Sequence, residues 1–229
     1  MTERHAARAA FLLTLSVVLG LPAIVTAEFV PAEYRSGTLP AIPIAAVSGG
    51  EVFLDVHVDA AGRVADVRVL RATPPFTEEV VAAVRGWQFL PAEDDLAGDA
   101  GGVRRRIPVD AHVFVAAVYR PPTLNGPTLG DPPKDLANPS EALPAALAWP
   151  MPVYPADAIF DGVVLAEAQV GADGRIDRAR LIRSTPVFSQ AALDALRAWT
   201  FRPARVAGRP VASRVYVVFA FRQPVTSGR

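Results

Sequence analysis

The chain has 229 residues, 51% of them hydrophobic and 20% charged, a globular composition rather than a disordered one. Lysine plus arginine and aspartate plus glutamate each total 23, and this balance argues against nucleic acid as the main partner, since phosphate binding needs clustered positive charge. Three histidines and no cysteine argue against a zinc, haem or iron–sulfur centre, and no other cofactor is implied.

The chain opens with Arg4 and Arg8 ahead of an apolar run from Ala9 to Ala27, broken by Gly20 and Pro22 and closed by the small-residue end Val25-Thr26-Ala27. That order describes a secretory signal, residues 1–27. An uncleaved inner-membrane anchor is the alternative, because the run approaches the span of a bilayer with its basic residues on the N-terminal side. On either reading the body of the protein lies outside the cytoplasm.

The rest of the chain contains one pattern twice. Phe76 to Ala92, FTEEVVAAVRGWQFLPA, returns as Phe188 to Ala204, FSQAALDALRAWTFRPA, at a constant offset of about 112 residues. Arg85, Trp87, Phe89 and Pro91 match Arg197, Trp199, Phe201 and Pro203 without a gap. Pro40, Pro43 and Ala46 match Pro152, Pro155 and Ala158, so the first unit begins near Leu39. The expected division is residues 39–120, a Pro-rich linker 121–150, and residues 151–223.

In the first unit Val52, Leu54, Val56 and Val58 alternate with other residues at a strand's period of two. Asp59 to Arg63 makes a hairpin turn around Gly62, and a second strand runs Val64 to Arg71 until Pro74-Pro75 stops it. Thr77 is placed to cap a helix with Glu78 and Glu79 in its first turn. Val80, Val81, Val84 and Trp87 recur at helical spacing. Residues Glu93 to Arg106 read as a solvated loop, about ten residues longer than its counterpart, and a last strand runs Val109 to Tyr119. The second unit repeats this order with strands Gly162 to Val170 and Arg175 to Arg183, a helix Ser189 to Trp199, and a final strand Val211 to Phe221. Each unit is α+β, a small antiparallel sheet of strand–strand–helix–strand order with the helix packed on one face. Between them Arg120 to Met151 holds eight prolines and reads as an extended spacer, with Leu143, Leu147 and Trp149 offering the alternative that part of it packs.

No constellation asks for catalysis. His5 precedes the apolar run, and His57 and His112 fall on the polar side of strands, which favours solvated residues over metal ligands. Asp94-Asp95 reads as a loop tip, and Arg104 to Arg106 as a weak basic patch. Ser184 and Ser189 have no histidine beside them in the pattern, so the chain is not expected to be an enzyme. Trp87, Phe89, Trp199 and Phe201 are expected in the core. The feature suited to function is the last strand, which closes its unit and is expected to be an edge with unpaired backbone groups. Arg214, Val215, Tyr216, Val217, Val218 and Phe219 form the candidate site for an added partner strand.

Tyr154-Pro155-x-x-Ala158, Gly162-Val163-Val164, Gly174-x-Ile176, Ala192-Leu193-x-Ala195-Leu196-x-x-Trp199-x-Phe201-x-Pro203-Ala204 and Gly208-x-Pro210-Val211 resemble the C-terminal domain of TonB-type energy transducers. The resemblance covers nearly all of residues 150–222, and residues 39–120 resemble the same domain more loosely, with Ile42 where a tyrosine would stand. It implies a periplasmic domain that binds the N-terminal box of a TonB-dependent outer-membrane transporter, or another periplasmic peptide segment, by strand addition at Arg214 to Phe221. A retained anchor would add an inner-membrane motor complex as partner. The chain departs from the family in three ways: little spacer precedes the first unit, the Pro-rich stretch separates two domains, and the apolar run carries Ser16 but no histidine. The duplication leaves a second reading open, a structural or scaffolding envelope protein whose tandem domains pack on each other or form a homodimer through those edges.

Overall fold

The structure is a computed structural model and describes residues 29–43, 48–96, 105–122, 140–206 and 208–224. The expected signal or anchor, residues 1–27 with His5, lies outside these residues. Among the described residues no helix is long and apolar enough to cross a membrane.

The first repeat runs β1 (Glu33–Ser36), β2 (Gly50–Val58), β3 (Val64–Arg71), α1 (Phe76–Arg85), β4 (Gln88–Leu90), β5 (Ala92–Leu96), β6 (Arg105–Val109) and β7 (Ala111–Tyr119). The second runs β8 (Ala145–Ala148), β9 (Gly162–Val170), β10 (Ile176–Arg183), α2 (Ser189–Arg197), β11 (Thr200–Arg202), β12 (Ala204–Val206), β13 (Arg209–Val211) and β14 (Ser213–Phe221), with a single 3₁₀ turn, Pro186–Phe188, leading into α2. The α+β class expected from the sequence is therefore present in two copies.

Several local expectations are corrected. Thr77 does not cap α1: the helix starts at Phe76 with no side-chain cap, and the Thr77 hydroxyl instead accepts from the Thr73 N–H at 2.9 Å. The stretch read as a solvated loop after Pro91 contains paired strands, with β5 and β6 antiparallel from Ala92↔Val109 to Leu96↔Arg105. Its counterpart is the shorter β12–β13 ribbon. Asp94 and Asp95 sit on β5 and are not a tip. For residues 140–150 the packing alternative holds over the extended spacer: β8 pairs with β11, and Leu143, Ala146 and Trp149 are buried, whereas Leu147 is exposed. β1 pairs with β4 in the same manner, so each repeat begins earlier than its Pro-x-x-Pro match indicates.

The hairpin turns account for two of the glycines. Gly174 has φ +80°, and a Cβ there would stand 2.0 Å from the Phe201 carbonyl oxygen; Gly62 has φ +79° and meets the Phe89 carbonyl at the same distance. The turn is thus pressed onto the strand that leaves the helix, and the Phe201 N–H donates to the Gly174 carbonyl at 2.9 Å. Only glycine fits such a positive-φ close approach.

The repeats share one six-stranded sheet of order β10-β9-β14-β7-β2-β3. All neighbours are antiparallel except the central pair, where β14 and β7 run parallel from Val215↔Phe114 to Ala220↔Tyr119. Two like strands side by side and parallel place the repeats' helices on opposite faces. One face packs Phe188, Leu196 and Trp199 of the second repeat on Val215, Val217 and Phe219. The other packs Phe76, Val84 and Trp87 of the first on Val113, Val115 and Tyr119.

Each repeat also covers the bare face of its neighbour. Phe53 of β2 points away from its own helix and meets Trp149 at 5.1 Å and Trp199 at 6.3 Å between ring centres. Phe114 meets Phe201 at 5.9 Å. In the opposite sense Tyr216 of β14 lies 5.8 Å from Phe89 and 6.1 Å from Tyr34. Each aromatic buried this way contributes about 1.5–3 kcal/mol relative to exposure. Pulling the repeats apart would forfeit several such terms.

Candidate functional site

The last strand is not an edge. β14 is bonded to β9 along its whole length, Ser213↔Val170 to Phe221↔Gly162, and to β7 on its other side. The expectation of unpaired backbone groups at Arg214 to Phe219 fails because the first repeat's last strand occupies that side. Among the described residues the outer strands of the sheet are β3 and β10.

The side chains of the predicted site divide between the two cores. Val215, Val217 and Phe219 enter the core under α2, whereas Tyr216 and Val218 enter the core under α1. Tyr216 is fully buried, and its hydroxyl accepts from the Tyr34 N–H at 2.8 Å and donates to the Ala32 carbonyl at 3.3 Å. It thereby fastens the first repeat's opening strand to the second repeat's closing one. Burial pushes the Tyr216 phenol well above its ordinary value, so it stays a neutral donor.

Arg214 completes this fastening. Its Nη1 donates to Glu33 Oε2 at 2.7 Å, and Arg180 Nη2 reaches Glu33 Oε1 at 2.8 Å and Glu167 Oε2 at 2.9 Å. Glu167 is buried on β9 and takes a second donor from Arg180 Nε at 2.9 Å, so its charge is met by a bidentate guanidinium. Burial alone would raise Glu33, but hydrogen bonds and charge from Arg214 and Arg180 outweigh it and hold the carboxyl below its ordinary value. Hydrogen bonding to Glu167 holds Arg180 above its own. The sequence gives no local cue for this network, because Glu33 is separated from Arg214 by most of the chain.

The equivalent positions in the first repeat carry different chemistry. Asp55 stands where Glu167 does, Arg68 where Arg180 does, and His112 where Arg214 does. Asp55 is 3% exposed in its side chain and receives Arg68 Nη2 at 2.7 Å and His112 Nδ1 at 2.6 Å. His57 stacks on His112 with ring centres 5.3 Å apart and lies 3.3 Å from Asp110. The two histidines expected to be solvated are thus half-exposed and paired with carboxylates. Among the described residues no group of three metal-ligating side chains converges.

This pair gives a pH dependence with a definite sign. The hydrogen bond to Asp55 holds His112 above its ordinary value of 6.5. Burial would raise Asp55, but bonds from His112 and Arg68 outweigh it and hold it below 3.8. The histidine's contribution is complete below 6.5 and is lost as pH rises through its raised folded value. The aspartate's is complete above 3.8 and is lost as pH falls through its lowered one. Urea denaturation should therefore show greater stability at pH 5.5 than at 8.5, by less than about 1 kcal/mol for a half-exposed imidazole. His112→Gln should remove that increment.

The expected core aromatics are where the sequence put them, with Trp87 and Trp199 at 0% and 1% exposure and Phe89 and Phe201 at 3% each. The indole N–H of Trp87 donates to the Thr38 carbonyl at 2.8 Å, and that of Trp199 to the Pro150 carbonyl at 3.2 Å. Both bonds tie the helix exit to the extended segment ahead of β2 or β9. These residues are the interior of the module.

The family model of the Gram-negative bacterial TonB protein C-terminal domain matches residues 38–110 and 150–222, together more than half of the chain. The chain belongs to the TonB C-terminal family. Both copies expected from the sequence are matched, although the first match stops at Asp110, just before β7. A comparison with curated proteins found no match. Membership places the chain among TonB-like proteins of the periplasm and envelope transport, a non-enzymatic, transport-related domain class whose members interact with outer-membrane transporters.

Proposed function

We propose that the chain is a self-paired TonB-type module, a structural adaptor of the periplasmic transport apparatus. In it the two domains serve as each other's strand partner. The observation that carries this reading is the parallel pairing of β14 with β7. In the family, the last strand is the one to which a transporter's extended box adds. Here residues Arg214 to Phe219 have that partner already, supplied by the same chain and sealed by side chains in both cores.

Addition of an outside strand at Arg214 to Phe219 requires β7 to leave, which would bare Phe114, Val115 and the apolar face of β14 to water. Extended partners are left with β3 and β10, and both edges carry arginines. Arg68 and Arg71 lie on one, and Arg178, Arg180 and Arg183 on the other. Charges on an edge discourage indiscriminate pairing.

The full chain, titrated with a transporter-box peptide and followed by hydrogen exchange, tests the reading. Amides of Val215 to Ala220 should be protected as strongly as those of β9 and remain so at saturating peptide. Saturable binding that deprotects β7 would sink self-pairing and restore β14 as an acceptor for outside strands.

A further inference from the structure

The joint between the repeats contains a cleft that neither repeat has alone. It lies where β7 and β14 begin and has a volume of about 280 Å³. Its walls come from equivalent positions of the two copies. Asp94 and Val206 face in from the two ribbons, Val109 and Val211 from the strands that lead into the central pair, and His112 and Arg214 from the pair itself. The local two-fold relation between repeats therefore passes through the cleft, which exists because the two last strands were brought side by side.

The chemistry of the walls narrows what fits. Most of the lining is apolar. Both basic groups are spoken for within the fold, Arg214 by Glu33 and His112 by Asp55. Of the two carboxylates, Asp110 is 60% exposed in its side chain and lies 3.3 Å from His57, and Asp94 also lines the cleft. An anion would find both basic groups already engaged, and either charge would enter a mostly apolar cleft at a desolvation cost. An apolar cavity of about 150 Å³ accommodates a benzene ring, so the space here suits two fused rings. From the equivalent walls, the mostly apolar lining, the engaged basic groups and the volume, we infer that this cleft is a binding site for a small uncharged aromatic molecule of about bicyclic size.

Indole is the probe, added to the full chain and followed by calorimetry and ligand-observed NMR. The expected result is saturable one-to-one binding with Kd between about 10 µM and 1 mM. Indole-3-acetate and tryptamine, its anionic and cationic analogues, should bind at least about tenfold more weakly. Val206→Trp places a large side chain at the mouth from a half-exposed ribbon position and should weaken indole about tenfold or more with the far-UV spectrum unchanged. Val211→Trp should do the same from β13, the other strand of that ribbon. Absence of saturable binding to the wild type overturns the site, as does binding undiminished by Val206→Trp. Tighter binding of tryptamine overturns the uncharged assignment by showing that Asp94 recruits a cation.

Discussion

Val217→Pro should abolish the fold of the whole chain. Val217 sits in the middle of β14, opposite Ala166 on one neighbour and Ala116 on the other. Proline removes the backbone donor from a strand bonded on both sides, and its ring fixes φ near a value that a sheet interior does not use. The cost should exceed about 3 kcal/mol, a large share of a typical domain's stability. The expected outcome is loss of soluble yield or of the sheet signal in far-UV circular dichroism. At a free edge the same substitution would leave a folded protein deficient only in partner binding. A monomeric Val217→Pro variant with a native spectrum would therefore contradict the central placement of β14.

Trp199→Ala is the second large expectation. The indole is 1% exposed and touches Phe219 at 6.0 Å, Phe201 at 6.1 Å and Phe53 at 6.3 Å between ring centres. Removing it leaves a cavity under α2 and strands the Pro150 carbonyl that its N–H satisfied. Loss should be about 3–5 kcal/mol for the cavity, with about 1 kcal/mol more for the orphaned acceptor. Because Phe53 belongs to the first repeat, the effect should not stay in the second. Denaturation followed by circular dichroism and by the remaining tryptophans should give one coincident transition shifted to lower urea. Two separated transitions, with only the later repeat weakened, would show that the shared sheet does not couple them.

Much of the fold was legible because it is local. The repeat offset placed both helices, both glycine turns and the Trp-x-Phe-x-Pro-Ala exits. Helical spacing pointed Trp87 and Trp199 inward just past their helices, and Phe89 and Phe201 follow on the short strands that return to the sheet. The pairing of β7 with β14 belongs to the alternative reading, in which the tandem domains pack through their last strands, and the residues carry a cue that favours it over a free edge. Val113 to Tyr119, VFVAAVY, and Val215 to Phe221, VYVVFAF, are nearly unbroken apolar runs, whereas Val64 to Arg71 intersperses charges. A strand with one wet face alternates; one covered on both faces reads continuously apolar. Reading those runs by composition rather than by their place at the end of each unit would have moved them from the edge to the centre. The Glu33 fastening had no such cue, since it depends on a sheet register joining residues from opposite ends of the chain. The histidine pair was half visible: alternation put His57 and His112 on one side of their strands, but their stacking needed the β2–β7 register.

The parallel direction of β7 and β14 also decides how the molecule would carry a load. Both strands start beside Phe29 and finish where Gln223 is held by Asp161, so the first and last described segments leave the sheet at opposite poles. Tension between those ends runs along the strands and strains the six residue pairs of the central seam sideways and together, instead of unzipping them one by one. Two copies of a TonB C-terminal domain are thus joined along a seam that such tension shears rather than peels.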